Sequence, residues 1–313
     1  MKKLNQAWVF SDSIIGHELQ SLALANEICD SVVMFNCGLR QPWLSFAPRV
    51  LPGFGRNIIW KNNQVPDFEC LSDVIVTTGR RMAAIGKYFN RKYKLKHIQI
   101  LNPKDNPKNY DILVCPEHDS LSATNLIQIK GSLHQFSKER LNQLKESWQS
   151  RLCINDKFIL SLFIGNPGKL FFKELENLKV EINTQYSSYS LYISASRRTP
   201  KKIKQYILDN FSFAKLIWLS EEDGDNPYLG LLSCSDAFMV TADSINMISE
   251  TVATDKPVVI LDYDSVSPKH KNYIKSLGSR VNKLGEKPVV NHQPIYYLKD
   301  TAQQVLKKLR LKD

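Results

Sequence analysis

Between Asp73 and Asp105 the chain has no acidic residue at all. It also lacks any apolar run near the ~20 residues that span a bilayer. The apolar stretch behind the basic start "MKKLNQAWVFSDS" is only four residues long, too short for a signal peptide. The six cysteines (Cys29, Cys37, Cys70, Cys115, Cys153, Cys234) form no C-x-x-C pair, and most sit in apolar segments where a free thiol packs as a small hydrophobe. The six histidines form no H-x-x-x-H helix face, so neither a structural nor a catalytic zinc is expected. These absences lead to the expectation of a cytosolic chain, or one lying against a membrane from the cytosolic side.

What is present begins with charge. The chain of 313 residues carries a formal net charge of +11. Its first 152 residues hold 20 Lys/Arg against 13 Asp/Glu. The acid-free gap contains "RRMAAIGKYFNRKYKLK", residues 80–96, with seven basic residues and three aromatics. A solvated helix face accounts for such a stretch, and so does attraction to anionic lipid or to a phosphorylated substrate. No nucleic-acid motif accompanies it, so no nucleic-acid partner is expected.

The length exceeds that of a single compact core, and two domains are expected. Short β-rich apolar runs at 7–10, 31–35, 73–78, 96–100 and 111–115 alternate with helical patterns such as "HELQSLALANEIC". After the polar helix near 137–152 and a turn at Asn155–Asp156 the rhythm restarts, at 158–164, 190–196, 214–220, 236–242 and 257–262. Strands bounded by helices at this spacing indicate parallel sheets built from βαβ units. The expected architecture is α/β, with two Rossmann-like doubly wound domains facing each other across a cleft. Their expected bounds are 1–152 and 153–300, with a last helix at 301–313 free to pack back on the first domain.

In open parallel sheets ligands bind beyond the carboxyl ends of the strands. The first strand runs into "SDSIIGHELQ", where Gly16 permits a tight turn and His17, with Asp12 nearby, can take a proton from a hydroxyl. Asp12 and His17 equally suit plain helix caps. The third ends in "TTGRR", placing Thr78, Gly79 and Arg80 at a helix start suited to an anion. The fifth ends in "CPEHDSLSATN", with His118 and Asp119 adjacent. In the second half, Gly165 in "SLFIGNPGK" can admit a phosphate close to the backbone. "SASRRTP" offers Ser196, Arg197 and Arg198 as a clamp for diphosphate. "EEDGDNPYLG" supplies Asn226 and Tyr228. Finally "TADSINMISE" concentrates Asp243, Ser244, Ser249 and Glu250. A cap explains Asp243 or Ser244; Glu250 lies more than one turn in, beyond any capping box.

The blocks "WVFSD…GHELQ", "TTGRR", "YDILVCPEHD", "SRRTP", "GDNPY" and "TADSINMISE…KPV" occur in this order over nearly the whole chain. Together they resemble the family named after the plant "elongated mitochondria" fission factor. Bacterial members carry glycosyltransferase labels and, in older usage, nucleoside-diphosphate-sugar epimerase labels. "DSINMISETVATDKP" is also similar to GT-B glycosyltransferases, in which the Glu, here Glu250, binds the ribose hydroxyls of a nucleotide-sugar. The Gly16–His17 turn is similar to the acceptor-side loop of the peptidoglycan-type enzymes of that fold. The chain departs from the family at Asn166 and Asp255, where other members often have Gly.

The older epimerase label implies a Gly-x-x-Gly-x-x-Gly turn after the first strand and a Tyr-x-x-x-Lys pair. "SDSIIGHELQ" has one glycine, and that reading is rejected. The resemblance implies instead a metal-independent GT-B transferase for cell-envelope synthesis of the lipopolysaccharide or outer-core type. It would use a nucleotide-sugar as co-substrate, no cofactor, and a saccharide or lipid-linked acceptor. His17 and Asp12, or His118 and Asp119, would serve as the base. Gly165, Ser196, Arg197, Arg198, Asn226, Tyr228, Asp243, Ser244, Ser249 and Glu250 would hold the donor. Gly16, Thr78, Gly79 and Arg80 would meet the acceptor or an anion, and the stretch 80–96 would meet an anionic membrane. The alternative is a non-enzymatic recruitment protein of the mitochondrial fission type.

Overall fold

The computed structural model describes residues 2–50, 55–61, 72–152, 158–168, 171–286 and 293–310. The Asn155–Asp156 turn, Cys70 and Cys153 lie outside the described residues. The chain divides into two compact units, one of residues 1–135 with 297–313 and one of residues 136–296.

The first unit contains β1 (Leu4–Ser11), α1 (Ile15–Ile28), β2 (Cys29–Leu39), a short α2 (Trp43–Phe46), β3 (Ile58–Trp60), β4 (Val74–Thr78), α3 (Gly79–Tyr93), β5 (Lys96–Ile100), β6 (Ile112–Pro116) and β7 (Leu126–Ile129). Their sheet runs β3-β2-β1-β4-β5-β6-β7. Every pairing in it is parallel except β2 with β3. Val9 stands beside Met34 on one side and Val76 on the other. Both faces of such a sheet are covered, which is why its strands read as unbroken apolar runs. One face is filled by aromatic rings: Phe10 stacks on Phe89 of α3 at 4.7 Å, and Trp8 meets Phe35 edge-on at 5.8 Å.

The second unit contains α4 (Lys138–Trp148), β8 (Phe158–Ile164), α5 (Phe171–Gln185), β9 (Tyr189–Ala195), α6 (Lys201–Asn210), β10 (Leu216–Trp218), α7 (Tyr228–Cys234), β11 (Ala237–Thr241), α8 (Ile245–Val252), β12 (Val258–Leu261), α9 (Pro268–Ser276) and β13 (Asn282–Lys283). The sheet runs β10-β9-β8-β11-β12-β13, all parallel. Apolar residues of β8, β11 and β12 alternate between two core layers, one under α7 to α9 and one under α5 and α6.

The helix near 137–152, which sequence reasoning attaches to the first half, packs against α7 in the second unit. The contact is close: a Cβ on Gly230 would lie 2.5 Å from Trp148 Cδ2, so glycine is what lets the indole sit there. The last helix, α10 (Leu298–Arg310), packs on α1 in the first unit, burying Leu298, Ala302, Val305, Leu306 and Leu309.

In both sheets the strand order reverses beside the first strand of the unit, at β1/β4 and at β8/β11. Such switch points are where doubly wound sheets open a crevice for ligands.

Candidate functional site

At the switch point of the second unit, the end of β8 and the end of β11 are tied together. The Gly165 N–H donates to Thr241 Oγ1 at 2.8 Å, and the Asn166 N–H donates to Asp243 Oδ2 at 2.7 Å. Thr241 Oγ1 donates in turn to Asp243 Oδ1 at 2.8 Å. A Cβ on Gly165 would lie 2.5 Å from Asp243 Oδ2. The space that Gly165 provides is therefore filled by the Asp243 carboxylate. This revises the sequence reading, in which Gly165 admits a phosphate and Asp243 meets the ligand directly.

Ser196 and Thr199 brace the next turn. Thr199 Oγ1 donates to the Gly165 carbonyl at 2.6 Å, and Ser196 Oγ accepts from the Arg198 N–H at 3.1 Å. The side chains left projecting are Arg197 and Arg198, both exposed and, among the described residues, without a carboxylate partner. His270, at the start of α9, adds a group that the sequence reading missed. It lies 2.8 Å from Ser267 Oγ through Nδ1. Burial lowers its pKa, the Asp243 backbone and carboxylate charge work the other way, and the charges of Lys269 and Arg198 lower it further. Arg198, Lys269 and His270 thus share one neighbourhood beside the β11–α8 turn. The signal for it was "SPKHK", a proline-started helix carrying cations just after the β12 strand end.

Along α8 the polar residues divide by role. Ser244 caps the helix, its hydroxyl accepting from the Met247 N–H at 3.5 Å. Ser249 donates to the Ile245 carbonyl at 2.7 Å and lies 2.8 Å from Tyr273 Oη, so its hydroxyl serves the core rather than an outside group. Glu250 behaves differently. It is only 7% exposed, and its hydrogen-bond partner among the described residues is the Tyr228 hydroxyl, which donates to Oε2. Burial pushes its pKa up to about 7, against the opposing effect of that hydrogen bond. Burial, and then the Glu250 charge, hold the Tyr228 hydroxyl well above its ordinary range. The Tyr228 ring packs on Phe163 at 4.6 Å, and its N–H donates to Asn226 Oδ1 at 2.9 Å. Asn226 therefore closes the turn that leads into α7, whose N-cap position is Pro227.

The far end of α8 is held by Arg280. This buried guanidinium donates to the carbonyls of Val252, Thr254 and Lys256 at 3.3, 2.6 and 3.0 Å. Helix ends leave such carbonyls without partners. Burial lowers the Arg280 pKa to about 10.

In the first unit, Asp12 Oδ1 stands 3.6 Å from His17 Nδ1. Burial opposes ionisation of Asp12, yet His17 and the Ile14 N–H more than offset it, and its pKa is lowered. The His17 ring rests on the α3 turn: a Cβ on Gly79 would come 2.8 Å from His17 Cε1, and Gly79 has a φ of +80°. The structure thus joins Asp12, His17 and Gly79. Gly16 plays no part in the tight turn assigned to it, because it lies within α1; the left-handed residue is Ser13, at φ +59°. Thr78 is turned inward to Ser21 Oγ at 2.6 Å, and Arg80 donates to the Ala47 carbonyl at 3.1 Å. His118 and Asp119 follow β6, three strands from β1 and therefore ~14 Å away at ordinary spacing. The structure does not bring them to His17.

The basic stretch 80–96 is not wholly a surface. Lys87 is buried and pairs with Asp105 Oδ2 at 2.6 Å, with Tyr110 Oη donating to the same oxygen at 3.0 Å. Tyr-x-x-x-Lys spacing does occur once, at Tyr88 and Lys92 on α3. Tyr88 lies nine residues along the helix from Gly79, ~13 Å from the strand-end turn.

The family model described as "Mitochondrial fission ELM1" matches residues 15–309. The chain is 25% identical over 238 residues to Mitochondrial fission protein ELM1 of Arabidopsis thaliana, covering 66% of this chain and 55% of that protein. It therefore spans about half the length of the plant relative. It is also 25% identical over 314 residues to Uncharacterized protein RP120 of Rickettsia prowazekii, covering 86% of this chain and 87% of that one. Among solved structures, UDP-GlcNAc 2-epimerase from Neisseria meningitidis bound to UDP-GlcNAc superposes with a TM-score of 0.50 at 14% identity, over 97% of this chain and 92% of that chain. MurG of Acinetobacter baumannii gives 0.47 at 11% identity, over 97% and 90%. The architecture is GT-B-like, with two parallel-sheet domains.

Proposed function

The chain belongs to the Mitochondrial fission ELM1 family, and from that premise we propose that its second unit binds a nucleotide-sugar and that the protein transfers the sugar to a saccharide or lipid-linked acceptor. The observation that carries this reading is Glu250. Its carboxylate is buried on α8 and, among the described residues, is held only by Tyr228. A buried carboxylate with so few partners is costly for stability alone, whereas two ribose hydroxyls would complete its hydrogen bonding. Arg198, with Lys269 and His270 beside it, would receive the diphosphate and stabilise charge on the leaving group. His17, oriented by Asp12, is the proposed base for an acceptor hydroxyl. Cell-envelope saccharide synthesis is the process such an acceptor belongs to in this proposal.

Isothermal titration with nucleoside diphosphates tests the donor site. Binding is expected in the wild type and about 10- to 100-fold weaker in Glu250→Ala, the scale of hydrogen bonds to a charged group. Undiminished binding by Glu250→Ala and Arg198→Ala removes the assignment. Conversion of one nucleotide-sugar to another without any acceptor would point instead to epimerisation, the activity in the name of the Neisseria protein.

The second reading is a non-enzymatic recruitment protein of the mitochondrial fission type, in keeping with a family named for mitochondrial fission. Exposed apolar side chains on the first unit, among them Ile15 and Phe46, favour it. It predicts no turnover of any nucleotide-sugar.

A further inference from the structure

In a doubly wound unit the apolar residues of helices and loops normally turn towards the sheet. Five of the described ones in the first unit do not: Ile14, Ile15 and Leu19 at the start of α1 are 44%, 50% and 42% exposed, and Phe46 and Val50 are 57% and 42% exposed. Two contacts link the elements that bear them. The His17 ring on Gly79 joins the start of α1 to the start of α3. The Arg80 guanidinium, donating to the Ala47 carbonyl, joins the start of α3 to the segment around Phe46. The Arg49 N–H closes that segment by donating to the Phe46 carbonyl at 2.9 Å.

Arg49, Arg80 and Arg81 are exposed on these same elements and, among the described residues, none has a carboxylate partner. The neighbouring acids are engaged elsewhere, Glu18 accepting from Ser11 Oγ at 2.8 Å and Asp12 lying against His17. We propose that the first unit docks on an anionic lipid bilayer through this composite face. Single apolar side chains set among guanidinium groups suit the headgroup boundary, where each chain can enter separately while the cations meet phosphates.

This differs from the expectation that all of 80–96 meets a membrane. Lys87 is buried, Arg91 and Lys92 stand over 16 Å along α3 from Arg80 at ~1.5 Å per residue, and α3 exposes no large apolar side chain. The proposal does not depend on nucleotide binding.

Co-sedimentation of the full chain with vesicles decides it. The wild type is expected to bind vesicles of equal parts phosphatidylglycerol and phosphatidylcholine, more weakly as salt rises, and not vesicles of phosphatidylcholine alone. Ile15→Asp with Phe46→Asp, and separately Arg49→Glu with Arg81→Glu, should each weaken binding by about tenfold or more. Circular dichroism and thermal melting establish that both variants are folded. No binding by the wild type, equal binding to both vesicles, or undiminished binding by the folded variants overturns the proposal. So does dimerisation lost in those variants without any vesicle binding, which would make the face a contact between copies.

Discussion

The Tyr228 hydroxyl donates to the Glu250 carboxylate, and these two residues lie on separate helices, α7 and α8, at the switch point of the second sheet. The pair keeps one acid inside the unit with its pKa near 7 rather than near the usual 4.5.

That displacement has a signed consequence for stability. With the folded pKa raised, the folded state binds more protons than the unfolded one between pH 4.5 and about 7. The contribution of Glu250 is therefore intact below pH 4.5 and lost as the pH rises through 7. Glu250→Gln should gain about 3 kcal/mol over the wild type at pH 8 and little at pH 4. Urea denaturation at the two pH values measures the difference. Glu174, which burial also raises to about 7, continues to titrate in both proteins and cancels in the comparison.

Tyr228→Phe removes the only described donor to Glu250. The variant should be about 1–3 kcal/mol less stable at pH 8, where the carboxylate is ionised. At pH 4, with the acid protonated, the deficit should shrink. An equal loss at both pH values would mean that ring packing on Phe163 dominates instead.

The Gly165 turn should resist even one methyl group. Gly165→Ala drives Cβ against Asp243, and overpacking of this kind costs about 1–3 kcal/mol. In the double variant with Asp243→Ala the obstacle is gone. A double-mutant cycle should then show coupling of at least ~0.5 kcal/mol between the two sites.

Arg280→Met leaves the Val252 carbonyl at the end of α8, and the Thr254 and Lys256 carbonyls just beyond it, without their charged donor. A loss of about 3–5 kcal/mol is expected in denaturant titration, the scale of leaving several buried carbonyls without a donor, and nucleoside-diphosphate affinity should fall with it as α8 frays.

Lys87→Met should cost about 3–5 kcal/mol because Asp105 is left without its ion-pair partner. Vesicle binding by the folded fraction should be unchanged, since Lys87 faces inward. A loss of vesicle binding with no loss of stability would place Lys87 on the surface.

Much of the architecture was legible in the chain before folding. All ten strands read from apolar runs coincide with strands, because a strand covered on both faces must be apolar throughout. The three that escaped, β3, β7 and β13, are short edge strands, each with an exposed residue, so no unbroken apolar run marks them. That Glu250 is not a helix cap was also legible, since its distance from the helix start excludes one, and it lies well inside α8.

What only tertiary structure decided was the direction of each polar side chain. Ser249 and Glu250 are neighbours in sequence, yet one is bound to Tyr273 and the other to Tyr228. Lys87 belongs to a run of cations that reads as surface, but Asp105, arriving from a later loop, draws it inside. Gly165 looked like room for a ligand until Asp243, 78 residues later, occupied the space. Hydrophobic periodicity is local and survives in one dimension. A hydrogen bond or ion pair depends on which distant segment arrives opposite, and only the folded chain determines that.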